Sequence, residues 1–337
     1  MGEVNFFSYF LANQVGHLFT LMPISNNLVV LRILCSLFVS TEIVISTLFC
    51  LNKLKLNKWL VFLGEFVAVS LCYSPSVILY NHISFLILLA SIMLIYTGLT
   101  EEKKYCLFFA GACLGLGLYV RFSNAVFPLL ILAVFYYCYL NKSKAAEWVK
   151  CTIYCILGFA VSFFALYVCI GIKYGFSAYY DGIMKLFSIS ENAKGYSAFS
   201  MLAESLKGYV MGARSILVTV LVAILSMFVY SMALKRVNKE KAVLAKAVIS
   251  GCASACVILL MLVCKWINLK PYFYGIIYYS AALFADLIII LFAKTFFDRK
   301  ADANNKLIML LLFLWIVVLS VPFTSSFKSR VLFRSRR

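Results

Sequence analysis

The sequence is short of charge, and most of the charge it carries is of one sign. Only 13% of its 337 residues are charged, 13 acidic against 31 basic, while 64% are hydrophobic. A soluble chain of this length could not cover so much apolar surface. Two histidines occur, too few for a histidine-built metal centre. No CxxC pair, Gly-rich phosphate loop, nucleophile elbow or two-histidine metal motif is present. Those absences remove the sequence signatures of several common enzyme chemistries. Strand-type alternation is also missing, which argues against a barrel. The first 27 residues lack the basic start and small-residue cleavage site of a signal peptide.

What is present is a series of apolar runs closed by small clusters of Lys and Arg. A membrane-spanning helix needs about 20 apolar residues. The runs at 28–51, 59–73, 83–99, 105–120, 123–140, 149–172, 211–234, 245–266, 272–293 and 307–322 read as spans. The expected fold is therefore all-α, a polytopic transmembrane helical bundle of about ten spans in the cell (cytoplasmic) membrane. Residues 1–27 read as an outward-facing amphipathic juxtamembrane segment and 28–322 as the transmembrane domain, followed by a basic tail, 323–337. The net charge of +18 is spread over short loops, so it points to the lipid bilayer and not to nucleic acid. Lys53, Lys55, Lys58, Lys103, Lys104, Lys142, Lys144, Lys150, Lys235, Arg236 and Lys294 fall on one side of the alternation. The positive-inside rule makes that side cytoplasmic.

Two segments strain this scheme. The N-terminus lies outside with no upstream span, and the tail carries Lys328, Arg330, Arg334, Arg336 and Arg337 on the outer side. The expectation is a chain cut at both ends. The longest outer loop, 173–210, mixes aromatic, charged and small residues, as a helix lying on the membrane would. Short spans meeting at Ser74-Pro75-Ser76, and at Arg121-Phe122-Ser123-Asn124, fit either broken segments lining a cavity or shallow hairpins.

The twelve cysteines lie mostly inside apolar runs and read as small buried hydrophobes. No metal site is expected from the residues, although the use of a divalent metal is left open. Ionisable residues inside spans are costly and mark candidate sites. Arg32, Arg121, Arg214 and Lys265 fall near the outer end, where cations suit an anionic headgroup. Arg214 and Lys265 read as side chains snorkelling to the outer headgroups. Arg121 shares a tight turn with Asn124, and Asn81 and His82 stand at the outer mouth of the third span. Glu42 and Glu65 sit at similar depth on consecutive spans. Two such carboxylates can share a proton, which suits a proton-coupled transporter or lipid flippase, or one can make an interhelical hydrogen bond.

The stretch FFAGACLGLGLYVRFSNAVFP, from Phe108 to Pro128, resembles a recurring segment of bacterial GT-C membrane glycosyltransferases of the protein mannosyltransferase and lipid A sugar-transferase type. A Gly-spaced span there ends in an Arg, then a small residue and another span. The stretch Leu31–Phe38 looks like their second span, and Tyr80-Asn81-His82 through Gly98 is similar to their next outward turn and return helix. Val321-Pro322 stands where relatives continue into an outer loop. The resemblance covers about residues 8–325. It implies a polyprenyl-phosphate-linked sugar as donor, transfer to an acceptor at the outer membrane face, and phosphate contact by Arg121, with Arg32 matching the pattern next best. The catalytic acid of that family sits in a loop before the juxtamembrane helix. Glu3 is the only acid there and is not assigned that role, so the resemblance implies a truncated or inactive form as readily as an active transferase.

Overall fold

A computed structural model describes residues 7, 9–21, 28–71, 80–192, 291–298 and 301–326, with isolated positions at 248, 252 and 288. The chain divides into two units, 1–201 with 291–328, and 202–290 with 329–337. Everything below concerns the first. The expected spans at 211–234 and 245–266, and most of 272–293, lie outside the described residues. So do the Ser74-Pro75-Ser76 turn, Arg214, Lys265, Glu3 and the tail from 327 on, whereas the first four residues of the expected tail, 323–326, are helical.

Among the described residues the chain is helical, with no strand. The elements are α1 (Phe10–Thr20), α2 (Leu28–Asn52), α3 (Lys58–Leu71), α4 (Tyr80–Thr100) and α5 (Lys104–Val120). A 3-10 segment, Phe122–Ile131, then leads into α6 (Leu132–Leu140), followed by α7 (Ala145–Tyr174), α8 (Phe176–Asn192) and α9 (Ala303–Ser326). Four helical stretches are long and apolar enough to cross a membrane: Val29–Asn52, Tyr80–Thr100, Phe122–Leu140 and Ala145–Tyr174. Lys104–Val120 and Ala303–Val318 are shorter apolar helices. A helical membrane protein accounts for this pattern.

Burial follows the same logic. Leu88, Ile95, Leu107, Leu114, Phe127, Leu130, Leu307 and Leu311 form one buried core drawn from α4, α5, the 3-10 segment and α9. Yet Trp59, Phe62, Phe109, Ile156, Phe164 and Ile172 are exposed. Helices apolar on both the packed and the open face suit lipid, where neither face needs to be polar.

The tightest contact is between α5 and α7. A Cβ on Gly111 would overlap the Cys155 carbonyl, and one on Gly158 would overlap the Phe108 carbonyl. Gly115 meets Ser162 in the same way. Small residues four apart let the two backbones touch, which is how helices gain dispersion energy in lipid. This packing fixes the C-terminal end of α5, from which Arg121 follows.

The element boundaries track the hydropathy closely, with one consequential shift. The third span begins at Tyr80 instead of residue 83, so Asn81 and His82 lie in the first turn of α4, not in a loop before it. The fifth span opens as 3-10 turns around Pro128. Proline has no N–H to give to a helical ladder, and 3-10 turns are a common way to enter a helix.

The three connectors on the lysine-rich side share a device. Lys55, Glu102 and Lys142 each adopt a left-handed backbone, with φ of 52°, 55° and 50°. Lys53 and Lys103 both pair with Glu101, so the first two of these connectors meet at one end of the bundle. That is the end the charge rule assigns to the cytoplasm.

Candidate functional site

At the opposite end α5 stops at Val120. Arg121 leaves the helix in an extended conformation, φ −160°, ψ 129°, while its N–H still donates to the Gly117 carbonyl at 3.2 Å. The Asn124 N–H donates to the Arg121 carbonyl at 2.9 Å, closing the turn expected between them. The turn aims the guanidinium inward, and Arg121 is only 4% exposed.

A buried guanidinium must be met by acceptors or by π density. Arg121 Nη1 donates to Asn81 Oδ1 at 3.3 Å. Its Cζ lies 4.9 Å from the centre of the Tyr80 ring. Tyr9, just before α1, stacks on Tyr80 with centroids 4.6 Å apart, which brings its hydroxyl within electrostatic reach of Arg121. Burial pushes the Tyr9 hydroxyl above its usual pKa, and the neighbouring Arg121 pulls the other way. The partners named here, a phenol, an aromatic face and an amide, are all neutral.

Asn124 braces the turn from behind. Its Nδ2 donates to Ser84 Oγ at 2.8 Å and to the Gly117 carbonyl at 3.0 Å. Asn124 is fully buried, and its Oδ1 has no hydrogen-bond partner, as is also true of Ser123 Oγ. The arrangement is a cation fixed at the end of a rigid helix, framed by polar groups that α4 supplies at Tyr80, Asn81 and Ser84. Chemically it can hold an oxyanion: an Arg fork binds phosphate oxygens through parallel, charge-assisted hydrogen bonds.

The structure thus brings together Arg121, Asn124 and Asn81 of the residues expected from sequence. His82 is the next residue on α4 and is half-buried. Arg32 is exposed on α2, and no described contact joins it to this cluster. Sequence reasoning missed Tyr9, Tyr80 and Ser84 as members. Tyr80 and Ser84 were open to discovery, because with Asn81 they put three polar groups in the first turns of an otherwise apolar helix. Tyr9 carried no such signal.

Glu42 and Glu65 form a second polar patch, between α2 and α3. Ser46, one turn along from Glu42, donates its hydroxyl to Glu65 Oε1. Glu42 Oε1 is buried without a hydrogen-bond partner. The bond across the helix pair therefore runs from Ser46 to Glu65, and no described hydrogen bond links the two carboxylates. No group of three or more His, Cys, Asp or Glu able to hold a metal ion occurs among the described residues. A shallow groove of about 300 Å³ near the start of α7 is lined by Phe135, Ala145, Trp148, Val149, Thr152 and Ile153. No charged side chain lines it, which suits a lipid tail better than a polar ligand. No family model, curated protein or solved structure matches this chain.

Proposed function

We propose that this chain is a multi-pass helical membrane protein of GT-C type that binds a polyprenyl-phosphate-linked sugar at the outer membrane face through Arg121. Asn81 orients the guanidinium and Asn124 holds the turn that presents it. The supporting observation is a nearly buried arginine at the C-terminal end of α5, met by Asn81 and Tyr80. In transfer of the sugar to an acceptor, the departing lipid phosphate gains negative charge. A fixed guanidinium beside it would stabilise that charge where water is scarce. No residue is assigned as the catalytic base.

The test is binding of a polyprenyl-phosphate sugar to the full chain in lipid nanodiscs. Arg121→Gln keeps a shorter polar side chain and loses the charge. It is expected to weaken binding at least about a hundredfold, the scale of losing a buried charge-assisted bond. Unchanged binding would remove Arg121 from the site and the proposal with it.

A second reading, a proton-coupled transporter or lipid flippase, is favoured by one observation: an unpaired buried oxygen on Glu42 one turn from the Ser46–Glu65 bond. It requires pH-dependent uptake into vesicles that Glu42→Gln abolishes. Uptake that persists in Glu42→Gln would rule out that role.

A further inference from the structure

The groove at the start of α7 stands at the end of the bundle away from Arg121. Gly111 meets Cys155 and Gly115 meets Phe159, so α5 and α7 run parallel. The start of α7 therefore lies beside the start of α5, at the lysine-rich end. Ala145, Trp148, Val149 and Thr152 recur at helical spacing and form one stripe of α7, with Phe135 contributed by α6. From Ala145 to Ile153 the groove runs about 12 Å along the helix. That is close to the chain depth of one leaflet, roughly 15 Å. Phe135, Val149 and Ile153 are exposed, so the groove is open along its length. Its connector end is fixed. Trp148 Nε1 donates to the Ser143 carbonyl at 3.1 Å, and the Ser143 N–H donates to the Cys138 carbonyl at 3.0 Å. The α6–α7 connector is thus tied to both helices, and Lys142 and Lys144, which flank Ser143, are both exposed. Neither described salt bridge involves them. The nearest acid, Glu147, lies in the first turn of α7. At about 100° per residue it is turned at least that far from Ala145, Trp148, Val149 and Thr152.

We propose that this groove binds an acyl chain of an anionic phospholipid whose phosphate sits at Lys142 and Lys144. The choice of occupant follows from charge. The walls are apolar and suit a chain, while the connector that closes one end carries two cations and no acid. A zwitterionic lipid would fill the groove but bring its own cation to the lysines. A free phosphate would meet the lysines and leave the groove empty. Only an anionic lipid satisfies both parts, and Lys, a compact point charge on a flexible stem, suits a headgroup of variable pose. Each such lysine strengthens binding to an anionic lipid by roughly fivefold. The site does not depend on the reading of Arg121.

The experiment titrates dioleoylphosphatidylglycerol into the full chain in detergent and follows the tightest bound copy by native mass spectrometry. Dioleoylphosphatidylcholine and glycerol 3-phosphate are the controls. Phosphatidylglycerol is expected to bind at least about tenfold tighter than either. The double variant Lys142→Gln/Lys144→Gln should weaken it by about twentyfold or more, and Lys142→Arg/Lys144→Arg should restore it. Ala145→Phe places a ring in the groove and should weaken both lipids. Lys150→Gln removes a cation from the same end of α7, but from a position turned at least about 100° from the four stripe residues. It should stay within about twofold of wild type. Equal binding of the two lipids would reduce the groove to ordinary lipid contact. Loss in Lys150→Gln as large as in the double variant would mean diffuse surface charge without a site. Tight binding of glycerol 3-phosphate, or phosphatidylglycerol binding untouched by Ala145→Phe, would remove the chain from the groove. Each of these results overturns the proposal.

Discussion

Asn124 shows how much the Arg121 turn depends on single buried groups. Its amide donates to Ser84 on α4 and to the Gly117 carbonyl on α5, so one side chain ties the turn to two helices. Asn124→Ala removes both bonds and loosens the tie of the turn to α4, while the Gly117 carbonyl keeps only the Arg121 N–H. It is expected to cost about 1–3 kcal/mol of stability. Asn124→Asp is expected to cost more, because a carboxylate cannot donate to the Gly117 carbonyl and would bury a charge. Thermal unfolding in detergent, scored by loss of helical signal, orders the three proteins. Equal midpoints for Asn124→Asp and wild type would mean that the turn does not rely on the amide. At this scale Arg121, Asn124 and Asn81 were conspicuous in the sequence, because polar residues in an apolar run stand out, and the structure brings the three together. The sequence could not reveal Tyr9, since a tyrosine at the start of an interfacial helix reads as an anchor whether or not it stacks on Tyr80. That contact depends on where α1 lands on the bundle, which no local pattern encodes. Arg32 illustrates the converse: an arginine at the right depth on α2 was as conspicuous as Arg121, but depth along a helix says nothing about which way the helix is turned.

Elements were legible to the extent that lipid dictates them. Runs of apolar residues become helices because the bilayer core offers no other partner for the backbone, and α2, α4 and α7 fall where hydropathy places them. The 3-10 start of the fifth span was not legible, since it depends on how the Arg121 turn and Pro128 share the available carbonyls. Helix pairing was only half legible. The glycines of α5 were visible, but that Gly111 meets Cys155, Gly115 meets Ser162 and Gly158 meets Phe108 required the fold. This pairing makes a sharp prediction. Gly111→Leu and Gly158→Leu would each drive a side chain into a facing carbonyl and are expected to destabilise by about 3 kcal/mol or more. Gly64→Leu, on α3 where an added Cβ meets nothing within 4 Å, should leave the unfolding midpoint near wild type. If all three variants behaved alike, α5 and α7 would not be the packed pair described. The left-handed Glu102 offers a test of opposite sign. Glycine adopts that conformation without the roughly 1 kcal/mol that an L side chain pays, so Glu102→Gly is expected to stabilise the connector by about that amount.

The described helices carry charge differently at their two ends: a buried Arg121 beside Asn81 and Tyr80 at one, and the paired surface charges of Glu101 with Lys53 and Lys103 at the other. Glu101 receives hydrogen bonds from Lys103 and Lys53, and these hold its carboxyl below the usual range. The same contact with Glu101 raises the Lys103 ammonium above its own usual value. The signs fix a pH window. A carboxyl whose folded pKa is depressed adds stability above its unfolded value, about 4.3, and loses it as pH falls through the folded value. An ammonium whose folded pKa is raised adds stability below its unfolded value, about 10.4, and loses it as pH rises through the folded value. Wild type should therefore exceed Glu101→Gln in stability by a constant margin across the neutral range. That margin should vanish in strong acid, where Glu101 is protonated, and again in strong base, where Lys103 loses its charge. Because the pair is solvent-facing, added salt should shrink the margin at neutral pH. The buried Arg121 cluster at the other end should show no such salt dependence in unfolding, since ions in solution cannot reach a side chain 4% exposed. Paired melts of wild type, Glu101→Gln and Arg121→Gln over pH and salt separate the two ends. A salt-sensitive Arg121 effect would place that guanidinium in open water, and a salt-insensitive Glu101 effect would bury the lysine bridge.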